Sequence, residues 1–161
     1  MLKILYIGDI VGRIGRQAVA TLLPGLKQEY SPDLVIANAE NSAHGSGATA
    51  KTLNELLAAG VDWFTMGDHI FKGSKTAEIY TDFPVIRPAN LPPGLPGRGY
   101  EIIKAAGRNV LVVSLLGRVF MTKHYDCPFR KIDQILANPD LPALKLSAII
   151  IEVHAEATSE K

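Results

Sequence analysis

Leu34-Val35-Ile36-Ala37-Asn38-Ala39-Glu40-Asn41 is the stretch on which the fold class turns. Leu34 to Asn38 is apolar on both alternating faces and carries β-branched Val35 and Ile36, the composition of a strand buried on both sides within a parallel sheet. The polar run after it ends the strand. Upstream, Leu2 to Ile7 repeats the pattern and closes in Gly8-Asp9; downstream, Trp63 to Met66 closes in Gly67-Asp68-His69. Between these runs, Arg16 to Lys27 and Thr49 to Ala59 place apolar residues at helical spacing, the second opened by Thr49 as a cap and closed by Gly60. Pro24 predicts a kink or an early end of the first helix. Strands alternating with helices in this way predict βαβ units around a largely parallel sheet.

From Val85 the texture changes. Arg87 to Gly99 intersperses four prolines with glycines and predicts an ordered surface loop. Tyr100 to Lys104 and Val110 to Leu116, joined by the turn signal Ala105 to Asn109, predict an antiparallel hairpin that opens a second, mixed sheet. Asp126 to Leu136 reads as a helix, Asn138 to Pro142 as a loop, and Leu146 to His154 as a strongly apolar strand. At 161 residues the length corresponds to one domain of about 150 residues.

The charge balance narrows function. Seventeen Lys and Arg against sixteen Asp and Glu leave a net charge of +1, so no broad nucleic-acid surface is expected. Cys127 stands alone, which excludes an internal disulfide framework and suits a reducing cytoplasm. The N-terminus lacks a signal-peptide pattern and no apolar run reaches membrane-span length, so a cytoplasmic protein with no membrane partner is predicted.

The unusual polar residues fall at strand ends. In open α/β sheets ligands collect beyond the carboxyl ends of the strands. Asp9, Glu40, Asn41, Asp68, His69 and His154 all sit at such ends. Roughly parallel strands would bring them to one rim, as an oxygen-and-nitrogen donor set suited to Mn, Fe or Zn and poor in soft sulfur. Taken singly, each is an ordinary turn or capping residue; the joint placement points to a metal site. A dinucleotide fold is disfavoured, because Gly8, Gly12 and Gly15 are spaced Gly-x-x-x-Gly-x-x-Gly where the fingerprint needs Gly-x-Gly-x-x-Gly. Asp9 would also repel a pyrophosphate at that helix start. His44, Arg13 and Arg16 read as solvated residues near the rim, Cys127 as structural, and His124 is left unassigned.

Several stretches, taken together, resemble the YmdB-like subgroup of bacterial calcineurin-type metallophosphoesterases. They are Gly8 to Arg13, Ala37 to Asn41, Met66 to His69, Arg87-Pro88-Ala89-Asn90, Pro96 to Tyr100, Asp126 to Phe129 and His154 to Lys161. Essentially the whole chain is covered, in order. The resemblance implies a four-layer α-β-β-α sandwich over residues 1–161, truncated after a core strand. It implies two divalent or mixed-valence metal ions, iron or manganese, and hydrolysis of small phosphodiesters such as cyclic nucleotides, and a homo-oligomer is expected. Asp9 and Asn41 correspond to ligands of one metal, Glu40 to the bridging carboxylate, and Asp68 and His154 to ligands of the second. His69 corresponds to the catalytic histidine that contacts the phosphate or protonates the leaving oxygen.

Two departures accompany the match. The family pattern has Asn where this chain has Asp68. Two further metal-binding histidines of the family lie downstream of the stretch ending here in Lys161, so the metal site is expected to be incomplete at its C-terminal side. A competing expectation is therefore a non-catalytic remnant that serves as a binding or oligomerisation module.

Overall fold

The structure is a computed structural model that describes residues 1–70, 76–123 and 125–161. Its first half alternates strand and helix: β1 (Ile4–Ile7), α1 (Gly12–Tyr30), β2 (Leu34–Asn38), α2 (Ala50–Ala59), β3 (Trp63–Thr65), α3 (Thr76–Asp82) and β4 (Val85–Ile86). The four strands form one wholly parallel sheet in the order β1-β2-β3-β4. The second half supplies β5 (Tyr100–Ala105), β6 (Arg108–Leu116), α4 (Pro128–Leu136) and β7 (Leu146–His154). Here β5 and β6 pair antiparallel and β6 and β7 parallel, giving the mixed second sheet.

Side-chain alternation sorts the core into three slabs between four layers. Val35 and Ala37 of β2 point outward to Val19 and Leu23 of α1 and to Leu53 and Leu56 of α2. Leu34 and Ile36, from the same strand, point inward to Ile103, Val110 and Val112, so the two sheets pack face to face. Leu111, Val113 and Leu115 leave the far side of β6 and meet Ile135 of α4. The order is therefore helices, parallel sheet, mixed sheet, helix. A strand apolar at every position is what such a centre requires, since each face of β2 meets a different slab.

The helix ends follow their capping residues. Thr49 accepts from the Thr52 N–H (3.2 Å) while the Thr52 hydroxyl accepts from the Thr49 N–H (2.9 Å), a reciprocal cap at the start of α2. Gly60 closes that helix with a left-handed φ of 107°. The tip of the β5–β6 hairpin is narrower than the sequence suggests. Ala106 and Gly107 hold φ of 47° and 73°, as a two-residue turn of the type that matches strand twist requires.

Two sequence expectations are corrected, and two elements are added that the sequence reading did not contain. First, α1 neither stops nor shortens at Pro24. The proline lies on the exposed face, where water can take the bond its ring denies to the helix, while Leu23 beside it is buried against the sheet. The added elements, α3 and β4, escape a reading by pattern. β4 is only two residues long, too short for a period, and is held by parallel pairing to β3. Second, Arg87 to Gly99 is more than a surface loop. Its first residues cross from one sheet to the other: Ile86 bridges Arg98, Pro88 bridges Ser114, and the Ala89 N–H donates to the Ser114 carbonyl (2.7 Å). Among the described residues β7 has a single neighbour, β6, and Ile149 and Ile151 on it are 46% and 42% exposed.

Asn90 locks this crossing. Fully buried, its amide donates to the carbonyls of Leu116 (2.8 Å) and Asp126 (2.9 Å), and its Oδ1 accepts from the Leu116 N–H (2.8 Å). Asn90→Ala would strand these backbone groups in the core, at about 2–3 kcal/mol. Urea unfolding should show that loss as a lower midpoint at an unchanged slope; a midpoint equal to wild type would mean that the crossing holds without Asn90.

Candidate metal centre

Backbone pairing continues past the strand ends and carries the polar residues to one rim. The Ile10 N–H donates to Asn38 (3.0 Å), the Gly12 N–H to Asn41 (2.8 Å) and the Ala39 N–H to Thr65 (3.0 Å). Asn38, at the last position of β2, is buried and works in two directions. Its Oδ1 accepts from the Glu40 N–H (3.0 Å), which turns the chain, and its Nδ2 donates to Glu152 Oε1 (2.5 Å) on β7. A side chain of the parallel sheet thus grips the mixed sheet two residues before His154, and the two sheets open onto the same rim.

The six rim residues converge. Asn41 Nδ2 donates to Asp9 Oδ2 (2.7 Å) and Glu40 Oε1 (3.1 Å). Glu40 Oε1 lies 3.3 Å from His154 Nε2 and 3.5 Å from His69 Nδ1, and His154 Nε2 lies 3.5 Å from Asp68 Oδ1. One donor atom from each of Glu40, Asp68 and His154 lies within 4.8 Å of the other two. His69 Nδ1 is 2.7 Å from Asn41 Oδ1. An amide oxygen only accepts, so in this contact His69 Nδ1 is the donor.

Gly67 makes this packing possible. A Cβ at that position would fall 1.8 Å from Glu40 Oε2 and 2.8 Å from His154 Cδ2. Only a residue without a side chain leaves the Glu40 carboxylate its place. That carboxylate is 1% exposed, and its Oε2 has no hydrogen-bond partner among the described residues. Burial, then the charges of Asp68 and Asp9, raise the Glu40 carboxyl to about 7 against the opposing pull of His154. A buried carboxylate with an unpartnered oxygen, two aspartates and an imidazole around it is a donor set that a cation would satisfy.

Other sequence candidates lie elsewhere. Arg16 is engaged by Glu55 (2.6 Å) and the Ser42 carbonyl (2.5 Å), and with Arg13 it lines a groove between α1 and α2. His44 is exposed at a positive φ of 55° on the loop beyond Asn41 and makes no hydrogen bond among the described residues. His124 lies outside the described residues. Cys127, read as structural, stands at the N-cap position of α4 without a side-chain cap bond and is partly exposed, and Arg130 and then the Phe129 backbone lower its thiol pKa. Arg130 stands one helical turn from Cys127, a spacing visible in the sequence. The supporting roles of Asn38, Gly67 and Glu152 are not visible there, because each depends on contact between distant strands.

The YmdB-like protein family matches residues 5–161. A curated relative, the 2',3'-cyclic-nucleotide 2'-phosphodiesterase of Bacillus subtilis (strain 168), is 42% identical over 161 residues, 99% of this chain and 60% of the relative. A crystal structure of a hypothetical protein from Thermus thermophilus superposes with a TM-score of 0.90 at 39% identity, covering 99% of this chain and 60% of that one. A crystal structure described as a novel phosphatase, from Mycoplasma pneumoniae, superposes at 0.88 with 32% identity, covering 99% and 57%. The chain thus spans about 60% of the length of the B. subtilis relative.

The raised Glu40 pKa carries a sign. Folding favours the protonated carboxyl, so ionising Glu40 costs stability as the pH rises from the ordinary carboxylate range through about 7. In metal-free protein, Glu40→Gln should therefore raise Tm at pH 8, with the gain shrinking towards pH 5. Calorimetry across that range checks it; a variant less stable than wild type at pH 8 would contradict the assignment.

Proposed function

The chain belongs to the YmdB-like protein family, and on that footing we propose that it is a metal-dependent phosphodiesterase. The observation that carries the reading is the Glu40 carboxylate, buried with one oxygen unpartnered and flanked by Asp68 and His154 within 4.8 Å. In this proposal Asp9 and Asn41 hold one ion, Asp68 and His154 a second, and Glu40 serves both. Oxygen and imidazole donors of this kind suit iron or manganese. Divalent ions in such a cluster supply Lewis-acid polarisation of a phosphoryl oxygen and acidify water near neutral pH.

The chain's own residues then have distinct tasks. As an imidazolium, His69 would keep Nδ1–H on Asn41 Oδ1 and give the proton on Nε2 to the leaving oxygen, ending as the neutral ring. Asn41 now offers its amide nitrogen to the two carboxylates, which their uncompensated charge favours; as a ligand it would use the oxygen. Asp68 adds a full negative charge at a position where the family pattern has a neutral amide, which strengthens cation binding. The name of the B. subtilis relative supports a small phosphodiester, a cyclic nucleotide among them, as substrate. The lone cysteine supports a cytoplasmic setting, and a homo-oligomer is part of the same reading. The alternative expected from the sequence is a binding module without turnover, in which the same cluster would hold a cation and nothing would be hydrolysed.

Metal content and turnover separate these. After dialysis against Mn, elemental analysis should find more metal in the wild type than in Asp9→Ala or His154→Ala, and least in Glu40→Ala. No metal in the wild type, or equal metal in all, would end the metal reading. His69→Ala should keep its metal and lose about 10²–10⁴-fold in hydrolysis of bis-p-nitrophenyl phosphate, the usual worth of general acid help. Metal bound by a wild type that hydrolyses no phosphodiester would favour the binding module.

A further inference from the structure

A second polar cavity, of about 360 Å³, opens between the segment that follows β6 and the first turns of α4. Its walls include Arg118, Tyr125, Asp126, Cys127, Arg130 and Lys131. Three cations against one carboxylate make it locally basic in a chain whose net charge is only +1. The ion pairs among the described residues engage other cations, Arg16 and Arg98, or histidines, and leave Arg118, Arg130 and Lys131 without a carboxylate partner.

The cavity adjoins the metal-type cluster. Leu116, the last residue of β6, pairs with His154, and the next N–H, of Gly117, donates to the His154 carbonyl (2.9 Å), so Arg118 emerges at the same rim. Tyr125, on the opposite wall, has its phenol pKa raised by burial and then by the charge of Asp68. The walls are braced. Asn90 binds the carbonyls of Leu116 and Asp126, and its own carbonyl accepts the Asp126 N–H (3.1 Å), while Glu160 accepts from the N–H groups of Arg118 (2.8 Å) and Val119 (2.9 Å). Stretches of the sequence that the metal centre leaves without a task, around Asn90 and around Asp126 to Phe129, are the ones that build this wall.

We propose that this cavity is a subsite for a second phosphate of the substrate, one that is not hydrolysed. Two guanidinium forks and an ammonium facing a single lining carboxylate, Asp126, match the oxygens of a phosphate, and the volume falls in the range of small-molecule sites. The proposal rests on the phosphodiesterase reading and deepens it: the preferred substrates are nucleotide phosphodiesters with an additional phosphate, such as a 5'-phosphorylated dinucleotide.

Cys127 lines the cavity and is the only cysteine, so its alkylation by iodoacetamide, followed by mass spectrometry, reports occupancy without any turnover. The measurement uses metal-free protein and inorganic phosphate, with chloride at matched ionic strength as control. Phosphate should slow alkylation in the wild type and leave it unchanged in the Arg118→Gln/Lys131→Gln double variant; Arg130 is kept because it lowers the thiol pKa and with it sets the alkylation rate. Circular dichroism verifies that the variant is folded. With metal restored, the double variant should lose about tenfold of the preference for pApA over ApA, the scale of a lost charged hydrogen bond. Its hydrolysis of ApA should stay as in the wild type. No protection in the wild type, protection that persists in the variant, or an unchanged preference would overturn the subsite. If no phosphodiester is hydrolysed by either protein, the phosphodiesterase reading fails, and the alkylation arm still decides whether the cavity binds phosphate.

Discussion

A single buried carboxylate sets the terms for this protein. Glu40 sits where the carboxyl ends of two sheets meet, 1% exposed, with one oxygen among Asn41, His69 and His154 and the other without a hydrogen-bond partner among the described residues. Such a group is costly to bury unless something positive comes to it. Its neighbourhood is built accordingly: glycine at 67 to leave it room, Asn38 to turn its backbone, and imidazoles rather than apolar side chains at its open side. Its raised pKa expresses the same imbalance, for burial first and then the charges of Asp68 and Asp9 push it towards the neutral form.

Holding that carboxylate requires the two sheets to be in register with each other. The Asn38–Glu152 contact, the Ser114 hydroxyl donating to the Met66 carbonyl (3.0 Å) and the crossing from Ile86 to Arg98 all span the interface. They lie around a slab of Leu34, Ile36, Ile86, Val110 and Val112 that supplies the apolar burial. The packing brings the sheets together without directional preference; the polar contacts select the one alignment in which His154 meets Glu40. Gly99 belongs to the same joint, since a Cβ there would stand 2.6 Å from the Ala89 Cα.

The rim divides into two chemically different parts. One concentrates carboxylates and imidazoles; the other, past β6, concentrates guanidinium and ammonium groups. Opposite potentials side by side are an arrangement for a ligand whose ends differ, an anionic group seated on cations next to a cluster that itself calls for cations. Tyr125 lines the basic cavity, and its phenol pKa is raised by burial and then by the charge of Asp68.

Local pattern was enough to establish the alternation of buried strands and capped helices, and with it the placement of Asp9, Glu40, Asn41, Asp68, His69 and His154 at strand ends. Periodicity and capping act between near neighbours, and chain direction puts successive βαβ strand ends on one side. The same pattern marked β2 as a strand covered on both faces, but it marked β1 alike, and only the packing shows that β1 is the edge of the sheet and β2 lies inside it. What one sheet does to the other emerged only on packing. The two-residue β4 has no period of its own and exists through its pairing with β3. Pro24 is tolerated because its face of α1 meets water. Arg87 to Gly99, locally a loop, is a joint because Ser114 lies across from it. Asn38, Gly67 and Glu152 acquire their roles from residues far away in the chain, and such contacts depend on distances that packing sets and no local pattern records.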